Sequence, residues 1–162
     1  MMSDIASLAT KVLADLRNRD EKLATAESLT GGLLSGAITD IPGSSDVFLG
    51  GVIAYDEHIK INILKVDGEL IADHGVVSGE VARAMALGVQ SIYGSDWAIS
   101  TTGVAGPGPS GDVPAGTVWI AVAGPAPMEP YLEKLSLSGN RQEVRLATIA
   151  RALTAITRIL NP

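Results

Sequence analysis

The sequence predicts an α/β fold: a layered α/β/α sandwich around a mixed sheet, in a single domain over residues 1–162. Two patterns and one size argument predict it. In the first half, short apolar runs alternate with segments of helical periodicity, the rhythm of parallel strands joined by helices. In the second half, three strand-like runs follow one another with no helix between them, which points to antiparallel neighbours. A chain of 162 residues, 46% hydrophobic and without cysteine, is large enough for one core that needs no disulfide.

Each element can be justified in order. Ser3 is a candidate cap for a first helix whose apolar stripe is Ile5, Leu8, Ala9, Val12, Leu13 and Leu16. Leu23 to Ala26 reads as a short buried strand, and Gly31 to Asp40 as a helix. "IPGSSD" is a loop. "FLGGVIAY", Phe48 to Tyr55, is a strand whose glycine pair marks a bulge or a close approach. Helices are predicted over Glu57 to Lys65 and Gly68 to Asp73. The clearest helix is "VSGEVARAMALGVQSIYG", capped at Ser78 with Val81, Met85, Val89 and Ile92 inward. "DWAIST" and "GTVWIAVAG" are strands flanking a long glycine- and proline-rich loop, and "YLEKLSLS" alternates like an antiparallel or edge strand. A last helix runs from about Arg141 to Leu160.

Composition narrows the function. The net charge is −6, which disfavours a nucleic-acid groove but leaves room for a local basic spot that binds one small anion. No segment approaches the roughly 18 to 20 apolar residues of a membrane span. The opening "MMSDIASLAT" lacks the basic start of a signal peptide, so a soluble cytoplasmic protein is expected. The two histidines, His58 and His74, stand far apart without ligand-spaced partners, so no metal site is expected.

Four places carry candidate chemistry. In "TAESLTGG", Thr25 to Gly32, a carboxylate, hydroxyls and two glycines stand where a strand hands over to a helix. α/β proteins place phosphates and nucleophiles at such junctions, and also ordinary capped turns. At the last helix, Asn140 and Glu143 form a capping-box pattern, yet Arg141 and Arg145 put positive charge against the helix dipole. Those arginines read either as solvated or as an anion site. Tyr55 ends a strand with Lys60 five residues on, and a desolvated lysine can serve as a general base, as in Ser-Lys hydrolases. An ordinary surface lysine is the alternative. "TTGVAGPGPSGD" lacks the ending of a Walker loop, but Thr101, Thr102, Gly103 and Gly106 could offer donors to a ligand.

Five motifs in order resemble one family. "TAESLTGG", "IPGSSDVFLGGVIAY" with Lys60 following, "HGVVS", "TTGVAGPGPSG…PAGTVW" and "LSGNRQEVR" are similar to the C-terminal domain of the CinA proteins, and nearly the whole chain is covered. The resemblance is to the stand-alone form, the PncC-type nicotinamide mononucleotide deamidases. It implies hydrolysis of the carboxamide of nicotinamide mononucleotide to nicotinic acid mononucleotide and ammonia. It also implies no cofactor, a role in pyridine-nucleotide recycling, and a homo-oligomer, with a dimer favoured. Two departures stand out: Asp56, where relatives often carry Ser-Asn or Asn after the tyrosine, and the "GPGPSGD" run.

The resemblance places Ser28, Ser45, Tyr55, Lys60, Thr102 and Arg141 or Arg145 at the site. Lys60 is expected to take the serine proton and hand it to ammonia, with Tyr55 orienting the lysine or relaying the proton. Two serines compete for the attack, Ser28 at the helix N-terminus and Ser45 in the glycine-flanked loop before the strand that carries Tyr55. Ser45 is favoured narrowly, because Thr30, Gly31 and Gly32 at the other junction are expected to contact substrate. Arg141 and Arg145 would hold the phosphate, with Thr102, Gly103 and Gly106 lining the pocket. The competing expectation is a nucleotide-binding sensor or accessory module without turnover.

Overall fold

The computed structural model describes all residues from Met1 to Pro162. Its elements are α1 (Met2–Asn18), β1 (Leu23–Glu27), α2 (Leu33–Thr39), a 3₁₀ turn (Ser44–Asp46), β2 (Phe48–Ile53), α3 (Glu57–Asn62) and α4 (Gly68–His74). They continue with α5 (Gly79–Tyr93), β3 (Trp97–Gly103), β4 (Thr117–Ala123), β5 (Tyr131–Ser136) and α6 (Arg141–Leu160). The strands form one mixed sheet in the order β2-β1-β3-β4-β5. The first three strands are parallel, and β4 and β5 are antiparallel additions.

The two faces of the sheet bury different side chains, because successive residues of a strand point to opposite sides. Leu23, Trp97, Ile99, Val118, Ile120 and Val122 pack on one face with the apolar stripes of α1, α2 and α6. Ala24, Ala26, Ala98, Ala121 and Ala123 line the other, and α5 settles there through Val81, Ala82, Met85 and Val89. Small side chains on that face let the helix lie close. The three-layer sandwich follows from this division.

Several details differ from the sequence reading, among them α2, which begins at Leu33 and not Gly31, and β2, which ends at Ile53 and not Tyr55. α1 begins at Met2 with Met1 as its uncapped N-terminus, so Ser3 lies inside the first turn. α3 stops at Asn62 instead of reaching Lys65, whose backbone takes φ 61° as the chain turns away. Ile92 is exposed in the last turn of α5, where nothing packs over it.

The topology also decides where chemistry can sit. β1, β2 and β3 run the same way, so their C-terminal ends meet at one edge of the sheet. β4 starts at that edge, since Val118 pairs with Gly103, and β5 ends there, since Ser136 pairs with Thr117. The chain then enters α6 through Asn140. Ligand sites of open α/β sheets lie beyond such strand ends.

Candidate active site

Glu27 ends β1 and is buried, a position a carboxylate holds only with full compensation. It accepts from the backbone N–H groups of Gly32 (3.2 Å), Leu34 (2.9 Å) and Ser35 (3.0 Å), and from the Ser35 hydroxyl (2.6 Å). The acid at the end of a strand thus caps the helix that follows. Between them the chain must double back within five residues, Ser28 to Gly32. Gly31 and Gly32 do this at φ 56° and 103°, and the Gly31 N–H closes the turn onto the Ser28 carbonyl at 3.1 Å. Ser28 is fixed from its other side as well, its N–H donating to the Thr101 carbonyl of β3 at 3.0 Å. Its backbone is thus fixed on both sides without help from its side chain.

Lys60 comes to the same point from β2 and α3. Asp56 caps α3 by accepting from the His58 N–H at 2.8 Å, and Lys60 follows one turn later. Its Nζ lies 2.8 Å from Ser28 Oγ, 2.7 Å from the Ala54 carbonyl and 3.4 Å from the Tyr55 carbonyl. Only 2% of the residue is exposed. Burial pushes the ammonium down from 10.5 to about 8, against the carboxylates of Asp56 and Glu57, which favour the charged form. At pH 7 about a tenth of such lysines are neutral, against about one in three thousand at the ordinary value. In the neutral amine, two N–H groups satisfy the two carbonyls and the lone pair accepts from the Ser28 hydroxyl. Protonated, the same nitrogen donates to all three. The geometry therefore accommodates both sides of a proton transfer.

A cavity of about 380 Å³ opens above this pair, within the range of small-molecule sites. Ser28, Tyr55, Glu57 and Lys60 form one wall, and Val76 and Val77 before α5 another. Thr102, Gly103 and the 104–110 loop close it, together with Arg141. Thr102 donates its hydroxyl to the Val76 carbonyl at 2.8 Å, tying the "HGVVS" segment to β3 and leaving its oxygen lone pairs for a ligand. Arg141 stands at the first turn of α6. It donates to the Gly106 carbonyl at 2.7 Å and to the Tyr55 hydroxyl at 3.0 Å, which brings two loops and a helix N-terminus together.

Comparison with known proteins agrees with the motifs. Residues 5–160 match the model of the CinA C-terminal domain. The chain belongs to the CinA C-terminal domain family. It is 44% identical over 154 residues to a CinA-like protein of Frankia casuarinae, covering 95% of this chain and 35% of that protein. A CinA-like protein of a Synechocystis strain is 44% identical over 160 residues, covering 98% of this chain and 38% of the relative. The chain thus spans little more than a third of these curated relatives' length. Among solved structures, the competence/damage-inducible protein CihA of Agrobacterium tumefaciens superposes with a TM-score of 0.92 at 35% identity. That match covers 98% of this chain and 96% of the other. A CinA superfamily protein of Escherichia coli gives a TM-score of 0.92 at 28% identity over 97% and 91% of the two chains.

This CinA domain brings together Ser28, Tyr55, Lys60, Thr102, Gly103, Gly106 and Arg141 around one cavity. Six expected residues lie elsewhere. Ser45 is exposed in the 3₁₀ turn before β2, whereas Lys60 follows the far end of β2. Six residues of strand, about 20 Å at roughly 3.3 Å each, separate those ends. Thr30, Gly31, Gly32 and Thr101 do not line the cavity. The Thr30 hydroxyl is buried against that of Thr101 at 2.8 Å, and the two glycines are needed for the turn. Arg145, one turn beyond Arg141, donates to the carbonyls of Leu29 (2.9 Å) and Thr30 (3.0 Å), so it braces the Ser28 turn from behind. Tyr55 meets Lys60 through its backbone carbonyl, and its hydroxyl goes to Arg141. Glu57, Val76 and Val77 are cavity residues that the motifs did not single out. Glu57 was within reach of the sequence, being one helical turn before Lys60.

Proposed function

We propose that this domain hydrolyses the carboxamide of nicotinamide mononucleotide, with Ser28 as nucleophile and Lys60 as proton shuttle. The contact that carries the reading is the 2.8 Å hydrogen bond between a buried, pKa-lowered lysine and a serine that opens into a small-molecule cavity. A lysine kept buried at such electrostatic cost, with a hydroxyl as its polar side-chain partner, suits nucleophile activation. Ser28 Oγ attacks the carboxamide carbon while its proton passes to Lys60 Nζ. The C–N bond then breaks, Lys60 protonates the departing nitrogen, and ammonia leaves an acyl ester on Ser28. Water, deprotonated by Lys60, attacks that ester. The proton returns to Ser28 and nicotinic acid mononucleotide is released.

Arg141 supplies the charge that a 5′-phosphate would meet. Incubation of the purified protein with nicotinamide mononucleotide, with chelator present, should yield ammonia and the acid product on a chromatographic trace. Tight binding with no product after long incubation would favour the sensor reading instead. Arg141→Ala should weaken use of the nucleotide by roughly 1.5–3 kcal/mol, the size of a lost charge-assisted hydrogen bond, read as a rise in KM of about ten- to a hundredfold. Nicotinamide riboside, which has no phosphate, should suffer a much smaller loss. Equal losses on both would mean that Arg141 acts by holding Tyr55 and Gly106 in place.

A further inference from the structure

Glu57 is the one carboxylate among the residues that line the cavity, alongside two cationic side chains, Lys60 and Arg141. It lies in the first turn of α3, three residues before Lys60, so both project from the same side of that helix. The carboxylate of its neighbour Asp56 is committed to capping α3. That of Glu57 forms no ion pair with either cavity cation. Its charge also works against the lysine: it favours the ammonium, whereas a base for Ser28 must be neutral. A residue that opposes the base yet faces the ligand space calls for a compensating partner in the ligand.

We infer that Glu57 selects substrates whose reacting ring carries a positive charge. The inference rests on the reading of the site as a nicotinamide mononucleotide amidase, whose substrate is a pyridinium. A cationic ring seated beside Glu57 is attracted by it in a partly desolvated pocket. The bound ring also offsets the carboxylate's field at Lys60, favouring the neutral amine at the moment Ser28 must lose its proton. The cavity then carries charge complementary to both ends of the ligand, Glu57 for the ring and Arg141 for the phosphate. A neutral-ring amide gains neither effect.

The test compares nicotinamide mononucleotide with its 1,4-dihydro form, which keeps the carboxamide, ribose and phosphate but has an uncharged ring. Rates of wild type and Glu57→Gln on both compounds give a ratio of ratios in which the intrinsic reactivity of each amide cancels. Glu57→Gln should lower kcat/KM for the charged ring by about tenfold, as expected for loss of a partly exposed charge pair, whereas for the neutral ring it should not fall and can rise, because the field that favours the Lys60 ammonium is gone. Calorimetric Kd values in the Ser28→Ala and Ser28→Ala/Glu57→Gln proteins should show the same selective loss without chemistry. Equal losses on both rings would overturn the inference and assign Glu57 to the ribose hydroxyls. No loss on either would make it a solvated carboxylate. If wild type releases no ammonia from the charged ring, the amidase reading fails, while the calorimetric comparison still decides Glu57. Failure of the Ser28→Ala protein to bind either form overturns both.

Discussion

Ser28→Ala should lower kcat for nicotinamide mononucleotide by a factor of about 10³ or more, while Ser45→Ala leaves it within about twofold. The loss is large because the serine makes the covalent intermediate on which both halves of the reaction depend. It is also a clean test of chemistry. The Ser28 backbone is fixed by Thr101 and Gly31 independently of its side chain, so the turn should survive the substitution. The hydroxyl's one partner is Lys60, which keeps its two carbonyl acceptors. Binding should therefore persist in Ser28→Ala, and calorimetry on the inactive protein checks it. The reverse ranking, with Ser45→Ala inactive and Ser28→Ala competent, would reduce Ser28 to a group that positions Lys60.

The two serines show where sequence reading stopped. Ser45 is ten residues from Tyr55 and fifteen from Lys60, a short distance along the chain. A strand lies between, however, and a strand carries its two ends to opposite edges of the sheet. Ser28 is thirty-two residues from Lys60, yet β1 and β2 are parallel neighbours whose C-terminal ends coincide. Which strands pair, and in which direction, is a tertiary fact that local periodicity does not contain. The arginines repeat the lesson on a smaller scale. Arg141 and Arg145 share a helix face, but one turn of about 5.4 Å separates a residue in the cavity from one behind the Ser28 turn. The layered mixed sheet, the capping box at Asn140 and the strand-to-helix junction were legible because local rules produce each of them. That Glu27 occupies the start of α2, and so keeps it from a ligand anion, depended on burial and on contacts across the turn.

Lys60 should impose its titration on both activity and stability, and the two move together only if it is a buried base. As a base it must be neutral, so kcat/KM should rise with pH and level off above about 8, the value to which burial lowers it. Lys60→Arg, whose guanidinium cannot give up its proton at usable pH, should lose about 10³-fold or more. Lys60→Met should lose as much with no charge to accommodate. The stability effect has a definite sign. The folded value of about 8 lies below the unfolded 10.5, so between them the unfolded chain binds more protons. The penalty of burying the ammonium is then fully present below about pH 8 and is relieved as pH rises toward 10.5. Relative to Lys60→Met, wild type should gain up to about 3 kcal/mol across that interval, and the comparison cancels every other titrating group. Urea unfolding of the two proteins at pH 7 and at pH 10 measures it. A difference that stays flat with pH would mean that the folded lysine titrates like the unfolded one. Lys60 would then be a fixed cation beside Ser28, and the proton shuttle would have to be sought in another group.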